Sequence, residues 1–147
     1  MERFVSDVAA PFSAAAQEAV ATHTRETIQQ QGFSFRLPSD AVAVGTGGTI
    51  TTVRAILGAR AGQTFEQTRS TITVAELQEL LAWLGSLPLS ERKRVPGLPP
   101  ARADVFPTAL TTFIAIAELG GFTAFQNSLY NLRYGLADEA LDQARSE

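Results

Sequence analysis

A chain of 147 residues without cysteine, 45% hydrophobic and 18% charged, has the composition of one folded domain rather than a disordered segment. The lack of cysteine excludes disulfides, thiolate metal sites and a cysteine nucleophile, and a formal net charge of −3 leaves no basic footprint for nucleic acid. No apolar run reaches membrane-spanning length, and the N-terminal MERFVSDVAAPFSAAAQ lacks the apolar core of a secretory signal, so a cytoplasmic protein with no membrane contact is the expectation.

In chain order, residues 13–30 read as an amphipathic helix with Ala16, Val20 and Ile28 on one stripe, ended by Gly32. FSFRLPSD leads into a strand at AVAV, where Ala41 and Ala43 are small enough to be covered on both faces, as in a parallel or central strand. Gly45, Gly47 and Gly48 then form a loop, and residues 50–57 make a short helix closed by Gly58. Residues 59–71 form a polar connection anchored to the core by Phe65. Thr73 and Glu76 have capping-box spacing ahead of VAELQELLAWLG, in which Leu77, Leu80, Leu81 and Leu84 recur at helical spacing up to Gly85.

A short helical start at Ser90 gives way to VPGLPP, an extended connector. The longest apolar helix is expected from about Pro100 to Leu119, kinked by Pro107 and ended by Gly120 and Gly121. FTAFQNS is a second strand, and Asn131 or Asp138 starts a final helix with a solvated end. These elements predict an α/β fold, mostly helical, with about two parallel strands. So small a sheet needs a larger sheet, a second copy or a further segment to complete it.

The strand–glycine loop–helix unit at residues 41–53 is the main candidate for chemistry. A helix start with free N–H groups and a positive dipole end attracts phosphate or another anion, and threonine hydroxyls stand beside it. The loop matches neither the dinucleotide fingerprint nor the P-loop, so a tight strand-to-helix connection is the alternative. Eleven of the twelve basic residues are arginine, Lys93 being the exception, and Arg92, Lys93, Arg94 and Arg102 crowd one third of the chain, where forked guanidinium groups suit phosphate oxygens. Lys93 and Arg94 read more simply as an exposed turn. The candidate acids and bases Asp40, Glu66, Glu91, Asp104 and Glu118 have no evident partner, and His23 is the only histidine, so neither a triad nor a zinc site is expected. Trp83, Tyr130, Phe106 and Phe113 read as core or interface aromatics.

Four separated stretches, VGTGGTITTV, ITVAELQELLAWL, SERKRVPGLPPARADVF and S-x-x-x-LRYG, resemble in order and spacing the C-terminal portion of the exopolyphosphatase and guanosine pentaphosphate phosphohydrolase (Ppx/GppA) family. That family belongs to the actin, sugar-kinase and heat-shock ATPase superfamily, and the resemblance runs over about residues 8–141. It implies a partial ribonuclease H-like lobe: a single domain, 1–147, corresponding to the end of the second of two lobes, with the first lobe and its water-activating glutamate not among these residues.

The resemblance further implies hydrolysis of terminal phosphates from polyphosphate or guanosine phosphates, with magnesium as cofactor of the complete enzyme. Residue by residue, Gly47, Gly48 and Thr49 match the family's Gly-Gly-Thr loop on the cleft floor. Arg102 and Asp104 match its Arg-Ala-Asp, the arginine facing polyanion and the aspartate orienting it or capping the helix, against a plain helix-start ion pair. Ser128, Leu132, Arg133 and Gly135 match its Ser-x-x-Gly-Leu-Arg-x-Gly. The ligand-binding candidates are therefore Gly47, Gly48, Thr49, Arg102, Asp104 and Arg133, with no catalytic or metal-ligating residue. Asn131 and Ala109 stand where the family has glycine, and Thr68 and Arg69 where it has His-Gly. Three functions are compatible with this sequence: a cleft-lining fragment inactive alone, a non-catalytic nucleotide or polyphosphate binding module, and an interaction protein that completes its sheet with a partner such as a second copy or the missing lobe.

Overall fold

The computed structural model describes residues 4–146. Helix α1 (Ala14–Gln30) is followed by β1 (Ala43–Thr46), α2 (Gly48–Arg60), β2 (Thr71–Thr73), α3 (Val74–Ser86), the single-turn α4 (Leu89–Arg92), a 3-10 turn (Pro100–Arg102), α5 (Phe106–Gly120), β3 (Ala124–Ser128) and α6 (Leu132–Ser146). The sheet order is β1-β3-β2. Strands β1 and β3 are parallel with Gly45 opposite Asn127 and Thr46 opposite Ser128, while β2 runs antiparallel with Ile72 opposite Phe125. The two parallel strands are the two expected ones, and the three-residue β2 joins them as a third.

Alternation along these strands puts Gly45, Ile72, Phe125 and Asn127 on one buried face and Val44 and Thr71 on the other, exposed one. Helices therefore cover one face only. The strand at Ala41 and Ala43 is parallel, as one of the two alternatives has it, but neither central nor covered on both faces: β1 is an edge, and Val42 and Val44 are 70% and 56% exposed.

Beneath the covered face, Ile50, Val53 and Ile56 of α2, Leu77, Leu80 and Leu84 of α3, Phe106 and Leu110 of α5, Ile72 and Phe125 form one core that Val95, Leu98 and Ala103 of the connector enter. As expected, α5 is buried on most of its circumference. It carries α1 as well, through Ala16, Val20 and Ala21 and through an Arg25–Glu118 ion pair at 2.8 Å.

Several boundaries differ from the sequence expectation for identifiable reasons. The long helix does not start at Pro100: a 3-10 turn and a break precede it, and Pro107 lies in the first turn of α5, where its missing N–H costs nothing and no kink results. Gly58 does not close α2. It lies inside the helix as a notch, because a Cβ there would collide with the Thr68 hydroxyl, and the helix runs on to Arg60. Phe65 anchors its loop to Arg54, whose guanidinium sits 4.2 Å from the ring centroid and also donates to the Thr68 carbonyl at 2.9 and 2.6 Å. Tyr130 is not a core aromatic; it is 75% exposed and stacks edge-on against Tyr134.

The capping box forms as read. The Glu76 N–H donates to the Thr73 hydroxyl at 3.2 Å, and the Glu76 carboxylate accepts from the Thr73 N–H at 2.8 Å and from Arg69. Burial pushes the Glu76 pKa up, but the Thr73 amide and hydroxyl together with Arg69 outweigh it, so the net shift is downward from 4.5. A folded-state value below the unfolded one means stability that is present above pH 4.5 and is lost as pH falls through the lowered value. Glu76→Gln should therefore cost about 1 kcal/mol near neutrality, and chemical denaturation should show the two proteins converging in acid.

Candidate functional site

Both parallel strands end on the same side of the sheet, at Thr46 and Ser128, and a loop leaves each end. In open α/β sheets such carboxyl ends are where ligands bind. The loop after β1 is the tighter one. Gly47 takes φ +80°, a backbone conformation that suits glycine, and caps α2 with no side-chain hydrogen bond. The first N–H groups of α2 have no intrahelical acceptor, and no acidic side chain stands in the first turn to neutralise the dipole.

Arg102 supplies the second half of the site. A Cβ built on Gly48 would fall on the Arg102 guanidinium, so that only glycine at 48 lets the cation lie directly over the start of α2. Arg102 is exposed, and among the described residues its guanidinium makes no hydrogen bond or ion pair, its backbone N–H alone donating, to the Pro99 carbonyl at 2.9 Å. An unpaired guanidinium next to a positive helix end is repulsive in isolation and becomes favourable when an anion sits between them. Gly48, Thr49, Arg102, Val105, Phe106 and Ala109 line an open cavity of about 260 Å³ at this point.

The connector that carries Arg102 is held from two directions. Gly97, at φ +85°, packs its backbone on α2: a Cβ there would lie 2.7 Å from the Ala55 carbonyl and the Ile56 nitrogen. Arg92 is only 2% exposed. Its guanidinium donates to the carbonyls of Leu84 at 2.9 Å, Leu87 at 2.7 Å and Ala103 at 3.1 Å, stapling the end of α3 to the residue that follows Arg102. Arg92 therefore leaves the group of prospective phosphate contacts: it is buried, and its Nε, Nη1 and Nη2 each donate to a backbone carbonyl. Burial lowers its pKa and the charge of Asp104 partly restores it.

The other candidates are placed as follows. Asp104 makes no ion pair with Arg102; its Oδ1 accepts the Val105 N–H at 2.9 Å at the entry to α5. Arg133 is not brought to the Gly48 cavity. It lines a separate open groove of about 470 Å³ with Leu129, Asn131, Tyr134 and Ala137, at the start of an α6 exposed along its whole described length. Asn131 is not left-handed, since no non-glycine described residue has positive φ; its Oδ1 accepts the Arg133 N–H at 3.0 Å. Thr68 fills the Gly58 notch instead of facing the cavity, and Ala109 lies on the cavity wall. Glu118 is paired with Arg25, and Asp40, Glu66 and Glu91 are exposed and outside the cavity lining. His23 is half-buried against Phe4.

No carboxylate or imidazole lines the cavity, and among the described residues no group of three or more His, Cys, Asp or Glu side chains is placed to hold a metal ion. The residues present do not fit a magnesium site of their own. Among the described residues no helix is long and apolar enough to cross a membrane.

No family model matches the chain, and no curated protein matches it in sequence. Solved structures do match. An Aquifex aeolicus Ppx/GppA family member superimposes with a TM-score of 0.78 at 22% identity over 97% of this chain and 45% of that one. The type II variant of the Aquifex aeolicus Ppx/GppA phosphatase gives 0.76 at 21% over 92% and 44%. An exopolyphosphatase from Cytophaga hutchinsonii gives 0.73 at 19% over 91% and 44%. At these identities the likeness is one of fold, and the chain spans less than half the length of each structure it matches. This chain has the fold of a part, about 45%, of the Ppx/GppA structures.

Proposed function

We propose that this chain is the C-terminal, cleft-lining part of a Ppx/GppA-type phosphohydrolase, which grips a chain of phosphates between the start of α2 and Arg102 and is inactive alone. The observation that carries this reading is the unpartnered Arg102 guanidinium lying on Gly48 at an uncapped helix start. Gly47, Gly48 and Thr49 offer N–H groups and a hydroxyl, and Arg102 offers a charged fork; together they suit an oligophosphate such as polyphosphate or the phosphate tail of a guanosine phosphate. Asp104 sets the entry of α5 behind the site, and Arg133, at the other strand end, reaches a longer polyanion from its own groove.

Inactivity follows from chemistry. Hydrolysis needs a base to activate water, and the cavity lining contains none, so the base and any magnesium ligands belong to the other part of the complete protein. The bare face around Val44 and the open edge of β1 support a sheet that a further part of the enzyme completes, with a second copy of the chain as the other partner of suitable shape. A cytoplasmic setting goes with this reading.

The test is thermal unfolding with tripolyphosphate. A site-bound ligand at about 100 times its Kd should add roughly 2.7 kcal/mol, a rise of about 5 °C or more for a chain of this size. The rise should vanish in Arg102→Ala, and no phosphate should be released from polyphosphate with magnesium present. Phosphate release by the chain alone would overturn the claim of inactivity. A rise that survives Arg102→Ala would remove the site from residues 47–49 and 102. Stabilisation without turnover in the complete protein would favour a pure binding module.

A further inference from the structure

The buried carboxamide of Asn127 joins both stems of the glycine loop. Asn127 is 6% exposed on the covered face of β3, directly opposite Gly45 in the parallel register. Its Nδ2 donates to the Gly45 carbonyl at 3.4 Å, on the strand side of the loop, and to the Thr51 hydroxyl at 3.3 Å, on the helix side. It also lies 3.4 Å from the Ser128 carbonyl, where the second loop begins. Two N–H groups are thus shared among three acceptors, each at long range. The Oδ1 of the same side chain is buried and has no hydrogen-bond partner.

As a contribution to folding this arrangement is poor. A half-satisfied buried carboxamide is worse placed than an apolar side chain of similar size, because its carbonyl is met by no donor of the protein. What it does provide is position. Residues 46–50 pass between the two groups it holds, and the neck is already tight, with a Cβ on Gly45 falling 2.9 Å from Ile50 Cγ1. Fixing Gly45 and Thr51 to one point fixes the direction in which the amides of Gly47, Gly48 and Thr49 face.

We propose that Asn127 is a positioning residue for oligophosphate binding: its carboxamide, bridging Gly45 and Thr51, holds the glycine-loop amides in register with Arg102. This rests on the phosphate reading of the cleft for its ligand, but its structural half does not. The unpaired Oδ1 leaves the bridge weakly anchored on its other side, so loss of either stem contact should be felt in the loop before it is felt in the core.

The experiment compares wild type with Asn127→Leu and Thr51→Val by amide NMR, thermal melting and calorimetric titration with tripolyphosphate. Thr51→Val removes the helix-side contact without touching the sheet and decides alone if Asn127→Leu does not fold. The expected result is amide resonances displaced, beyond those flanking each substituted position, only at residues 45–50, with about tenfold weaker binding and a melting temperature close to wild type. Unchanged loop resonances would overturn the proposal. So would changes spread through α3 and α5 with a large fall in melting temperature, which would make the residue structural only. If wild type itself does not bind tripolyphosphate, the phosphate reading fails, while the loop resonances still decide whether Asn127 positions the loop.

Discussion

Arg92→Ala should be among the most destabilising single substitutions in this chain, lowering unfolding free energy by about 3–5 kcal/mol. The number comes from what is left behind. The carbonyls of Leu87 and Ala103 lose their donor inside the protein, that of Leu84 keeps only the long Leu87 N–H bond at 3.3 Å, and a space the size of an arginine opens between α3 and the connector. Against a total of about 5–15 kcal/mol for a domain, that is a large share. Arg92→Lys should recover little, since an ammonium on a flexible stem cannot reach three carbonyls arranged around a planar fork. The neighbouring Arg94 is exposed, so Arg94→Ala should stay within about 0.5 kcal/mol and serves as the control in urea denaturation. Similar stability of the two alanine variants would mean that the buried staple contributes nothing.

Gly97→Ala should come next, at about 3 kcal/mol or more, by a different route. The residue sits at φ +85°, where an L side chain is strained, and its Cβ would meet backbone atoms of Ala55 and Ile56 at 2.7 Å, which cannot rotate away. The connector would have to lift off α2. Because Arg102 follows five residues later on the same segment, the loss of stability should be accompanied by a loss of oligophosphate binding at temperatures where the variant is still folded. A Gly97→Ala protein with wild-type urea midpoint would contradict the packing described here.

The parts of the fold that were legible in the sequence are those with local causes. The Thr73–Glu76 capping box, the glycine turn after β1 and the left-handed Gly121 after α5 each carry their reason within a few residues. Features set from a distance were not legible. At the break before α5 the Ala103 carbonyl finds no N–H at Pro107 and accepts instead from Arg92, eleven residues away, a contact that no periodicity reveals, and both Pro100 and Pro107 are acceptable first-turn residues. Strand β2 is only three residues long and exists through its pairing with β3, although its Thr-Ile-Thr composition suits a strand.

The same division holds at the site. Gly47, Gly48 and Thr49 announce a helix start, but their meeting with Arg102 spans more than fifty residues and came from the resemblance, not from spacing. Arg92 belongs by sequence to the arginine cluster that suits phosphate, and its burial against three carbonyl acceptors cannot be foreseen from composition, arginine being seldom buried. Asn127 had a usable signal. Strand alternation from Phe125 puts it on the covered face, where a carboxamide needs an explanation. Arg133 matches by motif and yet lies in another groove, at the start of an α6 that is exposed along its described length.

The central claim is that Gly48 and Arg102 form one anion site, and Gly48→Ala tests it most directly. The added methyl meets only the far end of a flexible side chain, and Gly48 does not have positive φ, so stability should change by less than about 1 kcal/mol while the guanidinium is pushed from its seat. Calorimetric titration with tripolyphosphate at low salt should then show binding to wild type and at least about tenfold weaker binding to both Gly48→Ala and Arg102→Ala. Equal affinity in all three folded proteins would contradict the account.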